Sequence, residues 1–230
     1  MTKKIISSCN GCKYKNKSIF SDVSYQSLEM AGFTPDIVSY PSNINVLKLP
    51  ENNDVIFTLR KGSVKLVRSL PDGNTRITSM LKTGDTLGLR AWQLGLNSVD
   101  AITLEDVELC RISYQALERI RTYAPELDRS VVSRICSEAE LADKWMTHFS
   151  VGSVHQRLAN FLLFLAEHQG DSQKSVKLLS RDDMASILAV RPESVSRAVT
   201  QFKAAGLIVA HTRGHHTLNL SAIRKQSKQK

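Results

Sequence analysis

Apolar residues recur along this chain with two periods, and the change from one to the other divides it. From about residue 36 to 115, short apolar runs alternate with turn signals. Val55-Ile56-Phe57-Thr58-Leu59 is followed by Lys61-Gly62 and then by Ser63-Val64-Lys65-Leu66-Val67. Pro71-Asp72-Gly73-Asn74 marks a hairpin turn, because proline presets φ and glycine or asparagine accepts φ > 0. Further strands are expected at 76–81 and 101–112. Many short strands at this spacing indicate a sandwich or barrel. Beyond residue 113 the period becomes helical. A short helix is expected at 113–121, and Pro125 opens a long one. Along it, Val132, Ile135, Ala139, Ala142, Met146 and Phe149 follow in steps of three and four, a heptad seam. A seam needs a partner helix, and a second copy of the chain is the simplest supplier. Val151-Gly152-Ser153 breaks the pattern. A helix through about Glu167 then buries Leu158, Phe161, Leu162 and Leu165.

Residues 180–206 carry the densest local signals. Ser180 with Asp183 three residues on outlines a capping box. Met184, Ile187 and Leu188 make an inward face, Ala189-Val190 a turn, and Pro192 suits the first position of a second helix. Val195, Val199 and Phe202 then point inward, so Glu193, Ser196, Arg197 and Thr200 point out, and Gly206 closes the helix. Two short strands around Arg213-Gly214 add a wing. This layout is a helix-turn-helix with its reading residues at the start of the second helix. Arg can donate twice to guanine, Glu accepts from cytosine, and Ser can use either edge, so Glu193, Ser196 and Arg197 are the expected base readers. Arg191, Thr200, Lys203 and Arg213 are the expected contacts to the DNA backbone.

Charge supports this reading. The net charge is +9, and residues 151–230 hold twelve Lys and Arg against five Asp and Glu, so most of the excess lies beside the helix-turn-helix. A polyanion partner requires that distribution. The 42% apolar content suffices for a core. No apolar run of about 18 residues exists and the N-terminus is no convincing signal peptide, so a cytoplasmic protein with no membrane contact is expected. Four cysteines in a chain of this length do not suggest a disulfide scaffold. The expected class is α+β with four segments: a loosely ordered Cys-containing arm at 1–25, a strand-rich domain at 26–123, a dimerisation helix at 124–150 and a DNA-binding domain at 151–230.

Taken together, these residues resemble the CRP/FNR family of bacterial transcription regulators over nearly the full length. Glu193-x-x-Ser196-Arg197 is similar to the recognition helix of the FNR branch. The resemblance implies a cyclic-nucleotide-binding-like β-roll, a long dimer helix and a winged helix-turn-helix. It implies a homodimer on an inverted repeat with TTGAT-like half-sites, and RNA polymerase as a further partner. Family tendency favours activation over repression. The family's effectors can be checked by position. Leu89 stands where nucleotide-binding members carry a glutamate, and Asn97-Ser98-Val99-Asp100-Ala101 has no arginine for a phosphate, which disfavours a cyclic nucleotide. Cys9-x-x-Cys12 and Cys110 match three of the four cysteines that hold an iron–sulfur cluster in FNR, but Ser18 occupies the fourth position. No cofactor is therefore favoured, with a cluster or a thiol redox switch at Cys9, Cys12 and Cys110 as the alternative. The seam carries no charge, so dimerisation without a cofactor is expected. His211, His215 and His216 cluster on the wing, where phosphate-facing exposure is expected over zinc binding. A ligand-binding sensor module is the competing class. An enzyme is disfavoured, since no nucleophile–base pair, HExxH or P-loop occurs.

Overall fold

A computed structural model describes residues 5–6, 9–48, 54–95, 99–169, 175–211 and 214–228. The chain forms two compact units, residues 1–68 with 78–141 and residues 69–77 with 142–230. In chain order the first unit holds β1 (Ile5–Ile6), α1 (Tyr25–Met30), β2 (Asp36–Tyr40), β3 (Asn45–Leu47), β4 (Val55–Lys61) and β5 (Val64–Ser69). It continues with β6 (Thr75–Leu81), β7 (Thr86–Leu87), α2 (Leu89–Leu94), β8 (Asp100–Thr103), β9 (Val107–Ser113) and α3 (Tyr114–Tyr123). Strand β6 begins in the second unit, and helix α4 (Glu126–Phe149) starts in the first and ends in the second.

The strands form two sheets, β1-β2-β9-β4-β7 and β3-β8-β5-β6. Val38, Val55, Phe57 and Leu109 of one sheet and Leu47, Val64, Leu81 and Ala101 of the other share one core. The five-stranded sheet is covered on its second face as well. There Ile56 and Ile112 pack with Leu117, Ile120 and Leu127 of the helices. Burial on both faces explains why β4 reads as a continuous apolar run rather than an alternation. The expected strand at 101–112 is two strands, β8 and β9, separated at Leu104–Asp106.

The arm departs from expectation. Residues 9–23 are not loose: Ile19, Phe20 and Val23 are buried in the helix-side core. The Lys-rich composition hid this apolar triplet. A 3₁₀ turn at Lys15–Lys17 precedes it. Gly84, at φ +100, allows the 82–85 turn to approach the Lys17 backbone closely, where a Cβ would meet the Lys17 carbonyl oxygen at 2.8 Å. Arg134 of α4 donates to the same carbonyl and lies 3.6 Å from Asp85. Ser130 donates to Asp22 at 3.0 Å. The arm, a sheet turn and the first half of α4 are thereby one assembly.

The second unit holds the end of α4, then α5 (Val154–Gln169), β10 (Ser175–Lys177), α6 (Arg181–Leu188), α7 (Pro192–Ala204), β11 (Ile208–Ala210), β12 (His215–Leu218) and α8 (Leu220–Lys228). An aromatic cluster centres it. Trp145 meets Phe149 at 4.9 Å and Phe164 at 5.3 Å, and Phe149 meets Phe161 at 5.7 Å, all edge to face. Each such pair contributes about 0.5–1.5 kcal/mol beyond its area. Trp145 Nε1 donates to the Ile77 carbonyl at 3.0 Å, so the 69–77 hairpin tip belongs to this unit. The division thus falls inside the long helix, between Leu141 and Ala142. Among the described residues, no helix is long and apolar enough to cross a membrane.

Candidate nucleic-acid interface

Helix α6 is started by Ser180, whose hydroxyl accepts from the Asp183 N–H at 3.0 Å. Met184, Ala185, Ile187 and Leu188 are buried. Ala189 ends the helix at φ +55, the left-handed region, which for alanine costs about 1–2 kcal/mol. Arg191 is extended at ψ 147, as the residue before a proline prefers to be, and Pro192 then opens α7. Val195, Ala198, Val199 and Phe202 pin α7 to the core. Gly206, at φ +68, closes it, and the Leu207 N–H returns to the Phe202 carbonyl at 2.9 Å.

With that face buried, the opposite face is fixed. Glu193, Arg197, Thr200 and Lys203 are exposed, as is Arg191, while Ser196 is half-buried. Arg197 Nε lies 3.4 Å from the Glu193 carbonyl, so its guanidinium runs along its own helix. Thr200 differs from expectation in one respect. Its hydroxyl donates to the Ser196 carbonyl at 2.9 Å, which leaves only acceptor lone pairs toward an acceptor-only phosphate. Arg213 lies outside the described residues. The wing is a three-stranded sheet, β10-β12-β11, so a strand is added to the expected pair. Sequence reasoning also missed Ser186 of α6, which accepts from the Ile77 N–H at 2.9 Å and donates to the Thr75 carbonyl at 3.0 Å. No local pattern signals a contact between residues 109 positions apart.

The expected seam splits in two. Val132 is 59% exposed and Met146 61%, and Ala139 is exposed beside them. Ile135 packs against the helix-side core, and Phe149, 4% exposed, is consumed by the aromatic cluster of its own unit. The stripe left uncovered on α4 is Val132, Cys136, Ala139, Asp143 and Met146, again at steps of four and three. It includes one carboxylate, Asp143, which the sequence seam did not.

Cys9, Cys12 and Cys110 line one cavity of about 30 Å³, with Tyr14, Lys15, Ser18 and Arg60 among its other walls. Cys110 reaches it because β9 pairs Cys110 with Thr58 on the face of the sheet that turns toward the arm. Burial first, and then the neighbouring Cys12, push the Cys9 thiol up to about 11. Burial, with Cys9 next, pushes Cys110 up to about 12. Both are neutral thiols at pH 7. Ser18 is 4% exposed, donates to the Lys15 carbonyl at 2.8 Å and accepts from the Phe20 N–H at 3.1 Å. Its hydroxyl shapes the arm and is not offered as a ligand. A four-iron cluster takes four thiolate ligands, whereas three cysteines line this cavity and the Ser18 hydroxyl is spent on the arm's own backbone. The residues do not fit it. Among the described residues, no group of three or more His, Cys, Asp or Glu side chains could hold a metal ion. The nucleotide position fits no better. Leu89, 1% exposed, is part of the helix-side core, and Asn97 and Ser98 lie outside the described residues.

An antiparallel β-roll linked by a long helix to a winged helix-turn-helix defines a transcription regulator with a sensor-type domain and a DNA-binding head. The family described as cyclic nucleotide-binding domain matches residues 37–123, and that described as Crp-like helix-turn-helix domain matches residues 156–225. The chain belongs to the CRP/FNR family of transcription regulators. It is 27% identical over 168 residues to the transcriptional activator protein anr of Pseudomonas aeruginosa, covering 71% of this chain and 69% of that protein. It is 26% identical over 182 residues to the transcriptional regulatory protein btr of Bordetella pertussis, covering 77% and 75%. The fold is shared with FixK2 of Bradyrhizobium japonicum, at a TM-score of 0.76 and 20% identity over 86% of this chain and 100% of that one. These relatives are named as regulators, a class of protein that is not enzymatic.

Proposed function

We propose that the chain is a cytoplasmic, homodimeric transcription activator that reads an inverted repeat with TTGAT-like half-sites. The observation that carries this is the outer face of α7. Glu193 and Arg197 are exposed one turn apart, with Ser196 beside them, on a helix held by four buried side chains. A rigid helix start bearing one planar donor and one acceptor suits base edges in a major groove. Arg191 and Lys203, exposed at its two ends, suit flanking phosphates. The uncovered stripe on α4 supports a second copy as partner, since an exposed apolar heptad row buries most simply against its own image. RNA polymerase follows as the partner of an activator. Arg197→Ala tests the base reading. Affinity for the cognate duplex should fall by about 1–3 kcal/mol, with little change on random duplex. Equal losses on both duplexes would sink the assignment.

A second reading concerns control. Three thiols around one cavity support thiol redox chemistry at Cys9, Cys12 and Cys110. Oxidising these thiols with a small disulfide and comparing DNA affinity before and after reduction tests it. Unchanged affinity would leave the cavity a packing feature.

A further inference from the structure

Arg60 interrupts the regular ladder of the five-stranded sheet. Strand β4 pairs Leu59 with Leu109 of β9 and Lys61 with Glu108, so Arg60 is an extra residue between neighbouring pairs, a β-bulge. Bulges re-aim a side chain. This one brings Arg60 to the cavity that Cys9, Cys12 and Cys110 line. The guanidinium carbon lies 5.3 Å from the centre of the Tyr14 ring, a cation–π contact that holds it against the arm. Its Nε is buried and meets no acceptor among the described residues. Lys15 reaches the same cavity from the arm. That residue is 7% exposed, and its ammonium donates one long bond, 3.4 Å, to the Ser21 carbonyl.

Two cations therefore meet at one small cavity, and among the described residues no carboxylate lines it. The thiols do not take that role, since burial keeps Cys9 and Cys110 neutral at pH 7. Asp36, which acts on Cys110 from outside the cavity, lies 3.9 Å from Arg111. A buried, positively charged donor without an acceptor is costly. Water would meet the hydrogen bond but not the charge. A negative ion meets both, and neutral thiols add weak S–H donors around it. The volume sets the size. About 30 Å³ is roughly twice what one water needs, so the occupant is one ion of up to about three heavy atoms.

We propose that Arg60 and Lys15, walled by the three thiols, form a binding site for one small monovalent anion of the size of chloride or nitrite. An ion between them joins β4 to the arm. It does so two residues before the Lys17 carbonyl that Arg134 of α4 holds. The inference concerns the first unit alone. It needs neither DNA binding nor redox chemistry of the thiols.

The test is the rate at which iodoacetamide alkylates Cys9 of the full-length protein at about pH 8, read by peptide mapping. The buffer is chloride-free gluconate at constant ionic strength. Nitrite is the probe, and sulfate is the ion too large to enter. An anion beside Cys9 blocks the thiol and disfavours its thiolate. When nitrite fills about nine-tenths of the sites, the rate should fall about tenfold and then saturate. Sulfate should leave it unchanged. Arg60→Met and Lys15→Met should each remove the protection, whereas Arg111→Met, outside the cavity, should keep it. If Arg60→Met does not fold, Lys15→Met decides by the same criterion. No protection of the wild type, equal protection by sulfate, or undiminished protection in the variants that lose a cavity cation overturns the proposal and leaves a cavity for water.

Discussion

Neighbouring thiols of the same residue type differ in what they can do because of where the fold puts them. Cys136 is exposed on α4, whereas Cys9 and Cys110 are pushed up to about 11 and about 12 by burial. Only a thiolate is a good nucleophile. In the monomeric variant with Val132 and Met146 replaced by glutamate, iodoacetamide at about pH 8 should therefore alkylate Cys136 first, with Cys9 and Cys110 slower by on the order of 100-fold. Peptide mapping of a time course reads this directly, and equal labelling rates would contradict the burial account. The sequence could pair Cys9 with Cys12 by spacing and could place Cys110 on a strand. It could not show that Arg60 and Tyr14 join them, since that depends on strand register. The helix-turn-helix was legible for the opposite reason. Ser180, Pro192 and Gly206 act within a few positions of themselves, so their signals survive without tertiary information. Thr200 shows the limit, because the direction of one hydroxyl proton is set by geometry and not by residue type.

At the scale of elements, α4 is two helices in one. Its first half is tied to the arm and to the 82–85 turn, and its second half supplies an aromatic cluster to the other unit. A heptad pattern records that residues are apolar, not what covers them. Ile135 and Phe149 are covered by their own chain, whereas among the described residues Val132 and Met146 stay exposed. The ion pairs on α4 also merit a sign. Glu138 lies 3.4 Å from Arg90, yet burial outweighs that partner and raises its carboxyl above the ordinary range. A carboxylate with a raised native value is a liability once ionised: its contribution is full below the unfolded value and is lost as pH rises through the folded one. Glu138→Gln should thus raise the melting temperature at pH 7, with the advantage vanishing below about pH 4. A fall in melting temperature at pH 7 would mean that the Arg90 pair dominates after all. The arm shows composition misleading an element assignment, since Ile19, Phe20 and Val23 are enough to anchor a stretch that otherwise looks soluble.

On the scale of the whole molecule, the stripe Val132, Cys136, Ala139, Asp143 and Met146 is the proposed dimer surface. Replacing Val132 and Met146 together by glutamate adds four charges to a two-fold seam. The variant should sediment as a monomer at micromolar concentration and lose the extra affinity that two half-sites give over one. A variant that remains a dimer would place the interface elsewhere. The class of fold, the element order and the helix-turn-helix were legible in the sequence because each rests on periodicity or on local caps. The partition into units was not, because it rests on contacts such as Ser186 with Ile77.

That contact bears on what can be cut from this protein. The DNA-binding unit is assembled from two stretches far apart in the sequence, and the smaller one, residues 69–77, is the tip of a β-hairpin. A fragment starting after residue 150 would forfeit Trp145, Phe149 and the carbonyl of Ile77 at one stroke. Its exposed aromatic floor would invite aggregation. A hybrid regulator that borrows this head must therefore borrow residues 69–77 with it, so the smallest transplantable module is not a continuous piece of sequence.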